Sequence, residues 1–417
     1  MKVTTRVERD SIAILSGKAE GIARMTLGEF LPRRFLSNGH LMTIVGNYIP
    51  RKYALPVEEA WFVEVEPASE GRRSTVIRCD CDWQAPEVRR ERLTLVLVHG
   101  LEGSSRSQYI LGTATRAWAA GCNVVRMNMR SCGGTDDLSP GIYHSGRSED
   151  VAAVVDGLVR EHGLRSIALA GFSMGGNLVL KYAGERSIAI PLKPTDGLNG
   201  ARSDENLSLR TSLNGGRPGG FPYPSGRDVG QPRFNGSRVS PGLPAEVFAV
   251  VGVSPLMDLA PSSKALHEQA NRIYEWKFLR NMLRRFRHKI ELFPEIYRAE
   301  GLQALAGIRS MRDFDQNIVA RYGGFADADD YYATVASSRW ADQLAVPTLI
   351  IHALDDPFIR MLPSTREALL ANEHVTLVET RHGGHCAFLS DEQGGDKHWA
   401  EKMLVEWLVG GVGAGEV

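Results

Sequence analysis

The stretch IALAGFSMGGNLVLKY, Ile167 to Tyr182, decides how the rest of the chain is read. A short apolar run, Ile167 to Ala170, predicts a buried strand. It meets Gly171-Phe172-Ser173-Met174-Gly175, and Asn177 to Tyr182 then predicts the opening of a helix. This is G-x-S-x-G between a strand and a helix, the setting in which a sharp turn raises a serine as a nucleophile. A turn that tight needs neighbours almost free of side chain, which Gly171 and Gly175 supply; Gly176 lets the helix lie close to its neighbours. The backbone N–H of Met174 falls at a helix N-terminus, where unpaired donors suit an oxyanion. With 43 glycines in the chain, G-x-S-x-G can arise by chance. The flanking strand and helix set this one apart.

A nucleophilic serine needs a base, and the base needs an orienting acid. Both follow later in the chain. Val346 to Ala353 predicts a buried strand that runs into Leu354-Asp355-Asp356-Pro357, an acid at a strand end. His374 to Glu379 predicts another strand, running into Arg381-His382-Gly383-Gly384-His385. Each candidate lies just past a strand's carboxyl end, where open α/β sheets place their sites. Earlier, Leu93 to Val98 reads as a strand of the same buried type. It runs into His99-Gly100-Leu101-Glu102-Gly103, and the Leu101 N–H is the expected second oxyanion donor.

Around this frame the chain, 417 residues long, alternates strand and helix signals. Strands are expected near Ala60 to Val65, Arg73 to Asp82, Asn123 to Met129 and Val247 to Val253, and helices over Tyr109 to Ala120, Pro363 to Asn372 and His398 to Val409. A further helix is expected from Ser148, read as an N-cap, to about Glu161, with Glu149 and Asp150 favouring its dipole. Residues 1–28 read as a variable, partly disordered extension, and 411–417 as a tail. Residues 191–244 are rich in Gly, Pro, Ser, Asn and Arg, and read as a disordered insertion between two core elements. From about 263 to 330 the pattern is helical. Trp276, Leu279, Leu283, Phe286, Ile290 and Phe293 form an apolar stripe, with Arg280, Arg284, Arg285, Arg287 and Lys289 between them. The plain reading is a cap helix with solvated cations. The alternative is docking on an anionic lipid surface, so weak peripheral membrane contact is the most the pattern implies.

Composition excludes other classes. Formal net charge is +0, which points to no nucleic-acid partner. Five cysteines, Cys79, Cys81, Cys122, Cys132 and Cys386, form no disulfide framework and suit a reducing, cytoplasmic setting. No signal peptide or membrane span is expected. His40 reads as a packed structural histidine.

Several segments together resemble the YheT-type α/β-hydrolases, bacterial relatives of the eukaryotic abhydrolase-domain 1 and 3 proteins. They are Phe35 to Ile44 (FLSNGHLMTI), His99 to Ser104, Arg130 to Gly134, Tyr143 to Asp150, Gly171 to Asn177, Asp355 to Pro357 and Gly383 to His385. The likeness runs from about 30 to 410, interrupted by the insertion. Met42 stands where such proteins typically carry glutamine, and the insertion is unusual for them. The resemblance implies an α/β-hydrolase fold with a mostly parallel sheet, helices on both faces and a helical cap, in the chain order Ser, acid, His. It implies a Ser173–His385–Asp356 triad, with Asp355 competing for the acid role. It also implies cleavage of short- to medium-chain acyl esters, monoacylglycerols or phospholipids through an acyl-enzyme, with no cofactor or metal. An alcohol acyltransferase using the same triad, and a catalytically silent scaffold, remain as alternatives.

The insertion carries its own test. Replacing residues 195–240 by a short Gly/Ser linker is expected to leave folding and ester hydrolysis intact, because closing a solvated loop of this length costs little extra entropy. Loss of soluble protein would mean that the segment is structural.

Overall fold

A computed structural model describes residues 13–16, 30–68, 73–187, 242–391 and 397–412. The strands are β1 (Ala13–Ser16), β2 (Glu59–Glu66), β3 (Thr75–Asp82), β4 (Thr94–Val98), β5 (Asn123–Met127), β6 (Ile167–Phe172), β7 (Val247–Val253), β8 (Thr348–Ala353) and β9 (Val375–Thr380). They form one sheet in the order β1-β9-β8-β7-β6-β4-β5-β3-β2. The six strands from β9 to β5 are parallel, and β3, β2 and β1 add antiparallel edges. Apart from β1, the N-terminal extension lies outside the described residues. So do the insertion, except residues 242–244, and most of the expected tail.

The central strands read as continuous apolar runs because both of their faces are covered. In β4, Val96 and Val98 face one core, and Leu95 and Leu97 the other. In β6, Ile167 and Leu169 join the first core, while Ala168, Ala170 and Phe172 join the second. Helices α1 (Gly39–Tyr48), α2 (Gln108–Ala119), α3 (Ser148–Arg160) and α4 (Met174–Ser187) precede β7. Between β7 and β8 the chain departs into a helical block that includes α5 (Leu259–Leu266), α6 (Arg272–Leu292), α7 (Pro294–Leu305) and a helix at Ala328–Val335.

Two local readings are corrected. Ser148 does not cap α3: it is the first helical residue, and Arg147 at the cap position makes no side-chain cap bond. The Ser148 hydroxyl instead donates to Glu185 and accepts from Lys181. Asp150 serves more than the helix dipole. It is buried and grips Arg130, itself buried, with Nη2···Oδ1 at 2.6 Å and Nε···Oδ2 at 2.8 Å. A charge in such a place needs a partner within bonding reach. The pair ties the loop after β5 to α3.

The basic helix also differs from a plain solvated face. Arg280, Arg284 and Arg287 are exposed, but Lys289 is buried. Its ammonium donates to Ser131 Oγ at 2.6 Å, to the Asp136 carbonyl at 2.8 Å and to the Ser139 carbonyl. Arg285 reaches the Ser131 carbonyl and lies 3.3 Å from Cys132 Sγ. The apolar stripe is split too. Phe286, Ile290 and Phe293 are buried, whereas Trp276 is 61% exposed.

Removing one partner of a buried ion pair strands the other. Asp150→Ala leaves Arg130 only Glu66 and the more distant Glu149, both partly solvated, and is expected to cost about 3 kcal/mol or more. The measurement is the urea midpoint at unchanged m-value. A shift worth under about 1 kcal/mol would contradict this role.

Candidate active site

The turn between β6 and α4 is as tight as the glycines predict. A Cβ on Gly171 would lie 2.1 Å from the Gly175 carbonyl oxygen, and one on Gly175 2.3 Å from that of Val98. Ser173 sits at the apex with φ +54°, a left-handed conformation costing a non-glycine residue roughly 1–2 kcal/mol. Its N–H donates to Val253 O at 2.9 Å, and its carbonyl accepts from Leu256 N at 3.1 Å and Asn177 N at 3.2 Å. The hydroxyl is not turned to bulk water as a bare elbow would have it. Ser173 is only 9% exposed and opens into a cavity of about 950 Å³.

The cavity joins the residues singled out in the sequence. Ser173, Met174, Leu101 and His385 all line it. His385 Nδ1 lies 2.8 Å from Asp356 Oδ2. With a carboxylate there, Nδ1 is the protonated nitrogen, and Nε2 keeps its lone pair. Asp356 is buried, and its Oδ1 accepts from Phe358 N at 3.1 Å and Ile359 N at 2.9 Å. Asp355 turns elsewhere: its Oδ1 accepts from Gly384 N at 2.9 Å, and its other oxygen lies 3.4 Å from His382 Nδ1. Burial alone lowers the His385 pKa, but the Cys386 sulfur, 3.8 Å from Nε2, and the Asp356 carboxylate outweigh it and raise the pKa above its ordinary value.

The β4 loop supplies the other wall. Burial pushes His99 down to about 4 and keeps it neutral; its Nδ1 donates to Gly100 O at 2.8 Å and its Nε2 accepts from Met129 N at 3.1 Å. The Gly100 N–H donates to Tyr109 Oη at 2.9 Å. A Cβ on Gly100 would lie 3.1 Å from that of Ser173, so the loop runs directly beside the serine. The N–H groups of Leu101 and Met174 are bonded to no other described residue.

Other site residues carry weaker sequence signals. Thr43 on α1 accepts the His385 N–H at 2.8 Å and donates to Gly39 O at 2.7 Å. Gly39 is required there, since a Cβ would lie 2.0 Å from the Asp355 carbonyl oxygen. The Phe358 ring packs 4.3 Å from that of His385. His40 is half-buried and stacks on Tyr274 at 5.8 Å, so it lines the cavity as well as packing. The density of apolar and aromatic residues in 30–44 was the available signal, but it gave no partner for Thr43. Among the described residues, no three His, Cys, Asp or Glu side chains stand together as a metal site. No described helix is long and apolar enough to cross a membrane.

The alpha/beta hydrolase family profile matches residues 95–394. The candidate esterase YheT of Escherichia coli (strain K12) is 29% identical over 91% of this chain and 93% of its own. Phospholipase ABHD3 of Mus musculus is 25% identical over 72% of this chain and 59% of its own. The monoacylglycerol lipase of Saccharomyces cerevisiae is 23% identical over 75% and 58% respectively. Among solved structures, the Pyrococcus furiosus esterase Pf2001 aligns with TM-score 0.43 and 14% identity, covering 87% of this chain and 99% of that one. The relatives bear out the expected fold and the reading of the chain as an ester hydrolase of YheT type. The chain belongs to the alpha/beta hydrolase family.

Proposed function

We propose that the chain hydrolyses carboxylic esters by two-step acyl transfer at Ser173, with His385 as base, Asp356 as its orienting acid, and the Leu101 and Met174 N–H groups as oxyanion donors. The observation that carries the reading is the 2.8 Å contact between Asp356 and His385 Nδ1 at one wall of a cavity that holds Ser173 at another. His385 Nε2 takes the proton from Ser173 Oγ as the oxygen attacks the ester carbonyl. The oxyanion forms beside Leu101 and Met174, where each donor is worth about 3 kcal/mol. Collapse expels the alcohol, which takes the proton from His385. Water, deprotonated by the same nitrogen, then splits the acyl-serine and releases the acid.

The cavity supports an acyl ester as substrate. Its volume is near the top of the roughly 300–1,000 Å³ of small-molecule sites. Leu101, Leu256, Leu259, Ile273, Phe278 and Phe358 line it. The helical block at about 263–330 acts as the cap, contributing Phe278 and Asn281 of α6 to the cavity. Short- to medium-chain acyl esters, including monoacylglycerols and phospholipids, are the proposed range. The exposed Ile273 and Trp276 on α6, beside Arg280, are the proposed point of weak contact with a lipid surface.

Ser173→Ala is expected to lower p-nitrophenyl ester hydrolysis by several orders of magnitude and to abolish labelling by a fluorophosphonate, with the fold retained. Activity above about a tenth of wild type in that variant would move the nucleophile elsewhere.

Asp356→Asn is expected to lose far more activity than Asp355→Asn, because it favours the wrong imidazole tautomer. The two also differ in pH profile. The reaction needs neutral His385, and the Asp356 carboxylate raises its pKa, so the wild-type acid limb should lie above about 6.5. Without that carboxylate the pKa falls, and the limb of the residual activity should move to lower pH. The opposite ranking, or a limb unmoved in Asp356→Asn, would transfer the role to Asp355.

A further inference from the structure

The loop after β4 carries a glutamate where its backbone favours glycine. The Gly103 N–H donates to Gly100 O at 3.0 Å, which closes a tight turn with Leu101 second and Glu102 third. Glu102 has φ +58°, a left-handed value that glycine adopts freely and other residues at a cost. A turn with such a third position selects glycine there. The glycines of this turn stand at its two ends instead, where packing demands them. Gly100 lies against Ser173, and a Cβ on Gly103 would lie 2.9 Å from Tyr109 Oη. Strain kept beside a reacting group persists only if something holds it.

The Glu102 side chain reaches the cap. Its Oε2 accepts from Asn281 Nδ2 of α6 at 3.0 Å, and both residues line the cavity with Ser173. Lys277, Asn281 and Arg285 follow one another at i, i+4 spacing, on one face of that helix. Burial raises the Glu102 pKa, and the Asn281 bond and the charges of Arg285, Lys277 and Arg284 oppose the rise. Glu102 Oε1 is buried and bonded to no described residue. Asn281 is thus the donor that makes burial of this carboxyl tolerable. Without it the carboxyl gains by turning out to water, and the turn can relax at its third residue. That relaxation rotates the peptide plane between Leu101 and Glu102 and displaces Leu101.

We propose that Glu102 is a positioning residue for the oxyanion site. Clasped by Asn281, it holds the turn in the form that aims the Leu101 N–H at the charge developing on the ester. The cap helix, through that bond, completes the oxyanion site as well as roofing the cavity. The proposal deepens the ester-hydrolase reading and rests on it. A mere brace between cap and core would register in stability, whereas a positioning role registers in kcat.

Wild-type protein is first exposed to a fluorophosphonate and assayed with p-nitrophenyl hexanoate, which tests the hydrolase reading independently of any variant. Glu102→Gly removes strain and clasp together. It is expected to lower kcat about tenfold or more, with KM within about twofold of wild type and a melting temperature unchanged or raised. Inhibition by a trifluoromethyl ketone, whose adduct with a serine carries the same oxyanion, should weaken by a similar factor. Asn281→Ala should reproduce the kcat loss, and serves if the glycine variant fails to fold. The double variant should lose no more than either single one. Glu102→Gln, which keeps an oxygen for Asn281, should recover most of kcat. A lowered melting temperature at unchanged kcat overturns the proposal, and so does a raised KM at unchanged kcat. An active wild type with indifferent variants sinks the proposal alone; a wild type that neither labels nor cleaves sinks the hydrolase reading and the proposal with it.

Discussion

The turn at Ser173 constrains everything around it. A left-handed serine persists only if its surroundings over-determine it. Here they do so by contact: the carbonyl end of β4 lies where a Cβ on Gly175 would be, and Gly100 lies against the serine's own Cβ. The bond from Ser173 N–H to Val253 O adds the end of β7 to the same clamp. Three adjacent parallel strands therefore end at one point. The loops that leave them supply both expected oxyanion donors and the start of the cap. The strain is held by the sheet rather than by any one side chain.

The base and its acid are fixed from a greater distance in sequence. Thr43 binds the backbone of His385, 342 residues away. A Cβ on Gly39 would meet the Asp355 carbonyl, and one on Gly384 the Gly39 carbonyl at 2.5 Å. α1 is thus wedged between the acid loop and the histidine loop, and each backbone takes space the other two require. The N-terminal segment works as a spacer that sets the reach of the imidazole.

Most of the framework was legible because strands covered on both faces announce themselves as unbroken apolar runs. The boundaries of β4, β6, β8 and β9 fall within a residue or two of the positions expected. The Ser, acid and His loops were legible because each follows such a run directly. What the chain did not disclose was the pairing of buried charge. Asp150 looked like a helix-dipole residue, and nothing local marked Arg130 as its partner. Lys289 is more instructive. It stands three residues after Phe286 and directly before Ile290, on the buried side of the helix, yet its charge placed it with the solvated arginines. Periodicity outranks residue type at such a position when three acceptors wait beneath it.

The clasp of Lys289 also bears on how the site is roofed. Its ammonium is held by three oxygens of the segment that follows β5, and Arg285, one turn earlier, holds the same segment. The second half of α6 is therefore moored to that segment, and unmooring it would strip a buried cation of its partners. The first half is tied by neutral and partly solvated contacts instead: the Tyr274 hydroxyl donates to the His40 carbonyl at 3.3 Å, and Glu275 Oε1 accepts from Met311 N at 3.0 Å. The roof over the reacting serine is thus a strut pinned at both ends, by a desolvated charge at one and by lighter polar stitches at the other.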